Sequence, residues 1–297
     1  TIGRLDSRYR GFDKKVAGST PENNIELNSW NHSFTPAINY YLRNELNFKT
    51  YLKYYVFGPV NPWDRQNDNT RDNLRKAMAQ NPFLKVLIQS VTPFQQNSSI
   101  VYCSVTKKCA IVDPGGDIDL LLKISQDNNL IPERILLTHG HIDHAGGASE
   151  LADILKVEIH GPHINDKYLL DQLKEQGEMF GMPSRNCRPH KWLNEGDQIT
   201  IGNEILEVYF CPGHSPGHII FFNEKQKQAL VGDVLFNGSI GRTDLPGGNF
   251  NDLIDSVKNK LWPLGHDVEF FPGHGPVSTF KNEMETNPFV SNDVLGL

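Results

Sequence analysis

The sequence predicts a layered α/β domain over residues 82–297, preceded by a mainly helical or irregular segment over residues 1–81. Short apolar stretches bounded by Gly and Asp turns recur after residue 82, and helical patterns lie between several of them. The charge balance also changes, from 13 Lys/Arg against 8 Asp/Glu in residues 1–91 to 16 against 27 in residues 92–297. Ten of the eleven histidines fall in the second part. Strands mixed with helices are typical of a layered α/β domain.

The individual elements follow from apolar spacing and turn residues. Predicted strands lie at residues 86–91, 99–104, 108–113, 134–137, 157–160, 205–210, 218–223, 228–231 and 268–271. Predicted helices lie at residues 117–127, 148–155, 164–176 and 250–260. The segment 1–81 has two further predicted helices, near residues 35–47 and 69–79, and no motif for chemistry. An apolar strand that begins at Leu84 would lack a partner in that segment, so we expect it to be the first strand of the second domain, with the boundary near Asn81.

Composition narrows the function classes. An acidic domain without Lys/Arg runs argues against nucleic acid, and no apolar stretch approaches the roughly 20 residues of a membrane span. Four cysteines without C-x-x-C spacing are too few for a disulfide scaffold in 297 residues. The polar start of the sequence does not resemble a signal peptide. We therefore expect a cytoplasmic protein that acts on a small molecule, with neither nucleic acid nor membrane as partner.

The strongest motif is Thr-His-Gly-His-Ile-Asp-His at residues 138–144, directly after a predicted strand. Alternate residues of an extended loop point the same way, so His139 and His141 can bind one ion while the turn at Asp143 and His144 faces a second. Three further candidates follow later strands in Gly-rich turns, and these are His214, Asp233 and His274. Imidazole and carboxylate ligands without thiolate suit Zn²⁺, Fe²⁺ or Mn²⁺.

This order of residues resembles the metallo-β-lactamase superfamily over about residues 91–289. The resemblance implies an αββα sandwich with two divalent ions, zinc first and iron or manganese as alternatives. One ion would be held by His139, His141 and His214. The other would be held by Asp143, His144 and His274, and Asp233 would bridge them. Two such ions lower the pKa of a shared water, so a bridging hydroxide becomes the nucleophile. Asp143 and Asp233 are the predicted catalytic residues, and His218 is predicted to support a ligand as a hydrogen-bond donor.

Within the superfamily, the stretches at residues 112–117, 232–236, 240–248 and 270–279 resemble the short, single-domain type of glyoxalase II. That branch implies hydrolysis of S-D-lactoylglutathione, a thioester. A β-lactamase and a persulfide dioxygenase are the alternative enzymes, and a non-catalytic binding protein would be expected to lose ligands. Candidate substrate-binding residues are Phe180 and Arg185, assigned to a loop, and Phe236 and Arg242, close to the metals.

The N-terminal segment shows a different resemblance. Residues 5–90 are similar to an internal piece of a bacterial serine carboxypeptidase, with residues 29–43 and 69–90 as the most telling parts. The catalytic triad of such an enzyme would lie outside this piece. We therefore expect no peptidase activity, and interpret residues 1–81 as a fused fragment or as an extension that docks on the enzyme.

Overall fold

Two mixed β-sheets form the centre of the computed structural model, which describes residues 83–297. These residues belong to the second of the two units into which the chain divides, Gln80–Leu297. The strands are β1 (Leu84–Val91), β2 (Gln96–Cys103), β3 (Lys108–Val112), β4 (Ile131–Leu136), β5 (Glu158–His160), β6 (Gln198–Ile201), β7 (Glu204–Phe210), β8 (Ile219–Asn223), β9 (Gln228–Gly232), β10 (Leu235–Phe236), β11 (Ser239–Ile240), β12 (Glu269–Pro272) and β13 (Ser278–Thr279). The predicted helices near residues 35–47 and 69–79 lie outside the described residues.

The helices are α1 (Ile118–Asp127), α2 (Ile142–Ala145), α3 (Ala148–Leu155), α4 (Lys167–Leu170), α5 (Leu173–Phe180), α6 (Phe250–Ser256), α7 (Phe280–Thr286) and α8 (Asn292–Leu295). Short 3-10 turns occupy Ile164–Asp166 and Trp262–Leu264, and α6 continues into a π-helical turn at Val257–Leu261. Within residues 83–297, none of the helices has the length and apolar character needed to cross a bilayer.

The five-stranded sheet has the order β1-β2-β3-β4-β5, and the six-stranded sheet has the order β13-β12-β9-β8-β7-β6. Strand β1 pairs with β2 along its whole length, from Leu84 opposite Cys103 to Val91 opposite Gln96. The first predicted strand therefore belongs to this sheet. Parallel pairing joins β3 to β4, β4 to β5 and β9 to β12, while the remaining neighbours are antiparallel.

The core has three layers because successive residues of a strand face opposite sides of its sheet. In β8, Ile219 and Phe221 pack between the sheets, whereas Ile220 and Phe222 pack against α6 and α7. On the other sheet, Ile100 of β2 faces the layer that contains α1 and α3. Fully burying one such phenylalanine contributes about 1.5–3 kcal/mol. Helices thus cover both outer faces, and the predicted αββα sandwich is confirmed.

One predicted helix, at residues 164–176, is wrong in its bounds. The chain instead forms a 3-10 turn, then α4, then α5, which ends at Phe180. The buried positions Leu169, Leu170 and Leu173 keep helical spacing across the break, so periodicity alone could not reveal it. As a correction, Phe180 is the last residue of a helix and not part of a loop.

Candidate metal centre

The predicted ligands follow the carboxyl ends of strands in both sheets. Parallel strands β3 and β4 end together in one sheet, and β9 and β12 end together in the other. Strand β7 runs in the same direction as β9, because each is antiparallel to β8 between them. Parallel strands present their carboxyl ends at a common edge, where loops of different sequence position meet. This topology gathers residues that lie far apart in the sequence.

Three imidazoles form the first group. Potential ligand atoms of His139, His141 and His214 all lie within 4.8 Å of one another. His141 Nδ1 is 2.9 Å from His214 Nε2, and the ring of His139 lies edge-on to both of the other rings. Three imidazole nitrogens this close suit one tetrahedral ion, whose fourth position would be taken by another ligand.

Asp143, His144 and His274 form the second group, again with ligand atoms within 4.8 Å of one another. His274 Nε2 is 3.2 Å from Asp143 Oδ2, and His144 Nε2 is 3.8 Å from the same oxygen. Asp143 and His144 lie on the short helix α2, which starts immediately after His141. Helix α2 therefore directs the end of the motif away from the first group.

The carboxylate of Asp233 touches both groups. Its Oδ2 is 3.5 Å from His214 Nε2 in the first group and 3.7 Å from His274 Nε2 in the second. Its Oδ1 is 3.3 Å from His144 Nε2. Asp233 follows β9 directly and is 6% exposed. One carboxylate between two imidazole groups is the arrangement expected of a bridging ligand.

Several of these atoms are buried without a hydrogen-bond partner, and they include His139 Nε2, His144 Nε2 and Asp233 Oδ1. A buried polar atom that makes no bond is costly, and native proteins leave few of them. All three belong to the predicted ligand set. Metal ions held there would satisfy these atoms, so the residues present fit a metal centre.

Burial and neighbouring charges determine the protonation states of the predicted ligands. Burial, and then the surrounding imidazoles, hold the pKa of His139 well below its usual range. The pKa of His141 is lowered to about 3, first by burial and then by His214. Burial alone would raise the pKa of Asp233, yet His144, His214 and His274 together hold it far below the usual range. Neutral imidazoles and an ionised carboxylate are the forms that bind metal.

His144 differs from the other imidazoles. Burial would lower its pKa, but Asp233, Asp143 and a hydrogen bond to Asp113 together raise it well above the usual range. The same carboxylates that hold a proton on His144 would favour a cation in its place. Metal binding at the second group should therefore release a proton.

Asp113 is a supporting residue that the sequence did not reveal as part of the site. Its Oδ2 lies 2.9 Å from His144 Nδ1, and it also accepts hydrogen bonds from Thr138 Oγ1 and the Thr138 amide at 2.6 and 2.7 Å. Asp113 forms a further possible metal-binding group with His139 and His144. Because its oxygens are already engaged, Asp113 orients His144 Nε2 towards the centre instead of joining it.

His218 supports the site, but not as a donor. Its Nε2 lies 3.0 Å from the backbone nitrogen of Asp233, and a backbone N–H can only donate. His218 Nε2 therefore accepts this bond, and the ring proton resides on Nδ1. The ring also stacks on His139, with centroids 4.7 Å apart and planes 20° apart. The predicted direction of the hydrogen bond is corrected, while the predicted place beside the ligands agrees with the structure.

Comparison with known proteins identifies the family of the chain. Residues 91–274 match the model of the metallo-β-lactamase superfamily. The chain belongs to this superfamily. It is a metallo-hydrolase of that superfamily, whose members bind divalent metals.

Three relatives of the superfamily are similar along nearly their whole length. Hydroxyacylglutathione hydrolase GloC of Haemophilus influenzae is 41% identical over 211 residues, which are 70% of this chain and 99% of that protein. The crystal structure of BLEG-1 B3 metallo-β-lactamase has a TM-score of 0.64 at 34% identity, covering 70% of this chain and 99% of that one. The di-iron-bound form of TTHA1623 has a TM-score of 0.63 at 35% identity, covering 69% and 100%.

The superfamily match begins at residue 91 and so gives no support to the serine carboxypeptidase resemblance of residues 5–90. Most of that segment also lies outside the described residues. Its origin, and the domain boundary near Asn81, stay predictions.

The four candidate substrate-binding residues differ in whether they contact a predicted metal ligand. The ring of Phe236 lies edge-on to His274, with centroids 6.0 Å apart. The Arg242 carbonyl accepts a 2.7 Å bond from His214 Nδ1, but its exposed guanidinium pairs with Asp244. Phe180 is 50% exposed and packs edge-on against Phe94. Arg185 pairs with Asp153 at the surface, so of the four only Phe236 and Arg242 contact a predicted ligand.

Proposed function

We propose that this chain is a binuclear metal-dependent hydrolase that cleaves a small thioester, with S-D-lactoylglutathione as the first candidate. The observation that carries the proposal is the Asp233 carboxylate, which contacts His214 of one group and both His144 and His274 of the other. The 41% identity to a hydroxyacylglutathione hydrolase over 99% of that relative supports the choice of substrate.

In this proposal, His139, His141 and His214 would hold one ion. Asp143, His144 and His274 would hold a second, and Asp233 would be a ligand to both. When bound, such ions polarise a carbonyl oxygen and activate water near neutral pH. Zinc is the first choice for these nitrogen and oxygen donors, with iron and manganese as alternatives. The di-iron form of the related TTHA1623 keeps iron among the candidates.

The chain's own residues would orient the reactants. His274 and His144 hold the pKa of Asp143 below its usual range although burial opposes this, so the carboxylate is ionised. An ionised carboxylate at the centre can accept a hydrogen bond from the attacking water and fix its direction. The ring of Phe236 against His274 covers one side of the second group and offers an apolar surface to the substrate.

Hydrolysis of a β-lactam is the second candidate function. It is favoured by the 34% identity and 0.64 TM-score to the BLEG-1 B3 metallo-β-lactamase. Both reactions need attack of water on a carbonyl carbon, so the metal centre alone does not choose between them. The acidic residue at position 233 favours the thioester, because superfamily β-lactamases usually lack an acidic bridge there.

The test is a substrate panel on the full chain, reconstituted separately with zinc, iron and manganese. Thiol release from S-D-lactoylglutathione should exceed turnover of nitrocefin and oxygen consumption with glutathione persulfide. Metal analysis on the same samples should find two ions per chain in the active form. Fast nitrocefin turnover without thiol release would replace the thioester proposal with the β-lactam one. Oxygen consumption that depends on the persulfide and occurs only in the iron-reconstituted protein would assign the chain to the dioxygenase branch.

A further inference from the structure

Asp166 is a buried carboxylate outside the predicted ligand set. It ends the 3-10 turn after β5 and is 0% exposed. Its Oδ2 accepts hydrogen bonds from the Gly140 amide at 2.8 Å and from Ser215 Oγ at 2.7 Å. Its Oδ1 accepts one from the Gly217 amide at 2.5 Å. Burial raises the pKa of Asp166 to about 6 even though these three bonds oppose the shift. The fold therefore keeps a carboxylate at a position where burial makes its ionised form unfavourable.

The three donors lie next to the first group of imidazoles. Gly140 separates His139 from His141 in the loop after β4, and Ser215 directly follows His214 in the loop after β7. One carboxylate thus joins the two loops that supply all three imidazoles. By contrast, within residues 83–297 none of the hydrogen bonds of Asp166 reaches the loops that carry Asp233 and His274.

The loops that carry Gly140 and Gly217 pack closely against Asp166. A Cβ at Gly217 would lie 2.4 Å from the backbone nitrogen of Asp166 and 2.6 Å from its Cγ. A Cβ at Gly140 would lie 2.8 Å from Leu169 Cβ and 3.3 Å from Asp166 Cβ. Both loops therefore approach Asp166 as closely as glycine allows, so a shift of the carboxylate must move the loops.

We propose that Asp166 is a positioning residue, which fixes the spacing of His139, His141 and His214 for the first ion. The inference rests on the proposed metal centre. A different buried carboxylate, Asp113, bonds directly to His144 of the second group and reaches His139 of the first only through Thr138 Oγ1, which lies 3.0 Å from His139 Nδ1. Within the described residues, the Asp166 carboxylate bonds only to the two loops of the first group, and partners of this kind are worth roughly 10–100-fold in metal affinity.

The main test is Asp166→Asn in the full chain. The amide keeps the shape but has only one oxygen to accept, so its NH₂ group would face either the Gly217 amide or the pair of donors Gly140 N and Ser215 Oγ. Chelator competition with Zn²⁺ should show one ion bound about 10–100-fold more weakly and the other unchanged. The absorption spectrum of the Co²⁺-loaded protein, which reports ligand geometry directly, should change for one of two ions.

The matched control is Glu204→Gln. Glu204 is likewise a buried carboxylate, contacted by Asn223 Nδ2, Lys225 Nζ and Gln226 Nε2. It begins β7, whereas His214 follows the other end of that strand. The Glu204→Gln variant should have a lower free energy of unfolding, but it should bind both ions with unchanged affinity. The double variant Asp166→Asn/Asp113→Asn should weaken both ions, because Asp166 bonds to the loops of the first group and Asp113 bonds directly to His144 of the second.

Two further variants keep the test decisive if Asp166→Asn does not fold. Ser215→Ala is the mild one, because it removes a single donor. Gly217→Ala is the severe one, because its Cβ would displace Asp166 without changing the charge of the carboxylate. Each should weaken the same ion selectively. Two ions bound with unchanged affinity and Co²⁺ spectrum in these folded variants would overturn the role of Asp166. Failure of the unmodified protein to bind metal would instead overturn the proposed function.

Discussion

His144 Nδ1 donates a hydrogen bond to Asp113 Oδ2 across 2.9 Å, which leaves His144 Nε2 directed at Asp233 Oδ1, 3.3 Å away. The tautomer of the imidazole is therefore determined by a residue that would not touch the metal.

Asp113→Asn should weaken the second ion by about 10–100-fold, since the amide cannot orient His144 as the carboxylate does. Chelator competition on the zinc-loaded protein measures this affinity. Asp119→Asn, an exposed carboxylate on α1, is the control and should bind both ions normally. Equal affinities in the two variants would show that Asp113 has no such role.

Asp233→Asn should lower both the occupancy of the second ion and the rate of thiol release, each by about 100-fold or more, because a bridging ligand outweighs the supporting residues. Metal analysis and initial rates on one preparation measure the two effects together. Asp293→Asn on α8 is the exposed control. A variant with two ions and a reduced rate would leave Asp233 a catalytic role but no bridging one.

Phe236→Ala should raise KM for the thioester by about tenfold with a smaller change in kcat, because an apolar contact acts on binding more than on chemistry. Steady-state kinetics separate the two constants. Phe289→Ala, another partly exposed phenylalanine, should leave both constants unchanged. A loss confined to kcat would move Phe236 from substrate binding to support of His274.

Metal-free protein should lose stability as the pH falls below the usual histidine value of about 6.5. The folded pKa of His141 is lowered to about 3, so between these values the unfolded chain binds a proton that the folded chain does not. This group contributes stability above pH 6.5 that is lost towards pH 3, with a slope of up to about 1.4 kcal/mol per pH unit. Urea unfolding of the chelator-treated protein and of His141→Gln should show a shallower decline in the variant. Parallel curves would contradict the lowered pKa.

Deletion of residues 1–80 should leave thiol release unchanged, because the superfamily match starts at residue 91 and every predicted ligand lies beyond residue 138. Activity and circular dichroism of the shortened chain test this. A shortened chain that is unfolded or inactive would show that the N-terminal segment is a working part of the enzyme.

The sequence patterns predicted a layered α/β domain with candidate ligands in Gly-rich turns after apolar strands, and the superfamily resemblance implied the αββα sandwich and the complete set of seven ligands. The supporting carboxylates Asp113 and Asp166 could not be predicted from the sequence. Asp113 ends a predicted strand just before Pro114-Gly115-Gly116, and Asp166 lies in the first turn of the predicted helix at residues 164–176, where aspartate is an ordinary choice for local reasons. Only the tertiary contacts to His144 and to Gly140 distinguish them. The hydrogen-bond direction of His218 was equally hidden, because it depends on a backbone amide fifteen residues away.

The ligands come from loops of two different sheets, whose inner faces meet in a shared apolar layer. An ion at this edge would therefore link the two sheets, and its binding free energy would add to the free energy of unfolding of the whole domain. Loss of metal would then shorten the lifetime of the folded enzyme as well as stop the reaction. The free energy of unfolding of the domain would thus rise with the concentration of free metal.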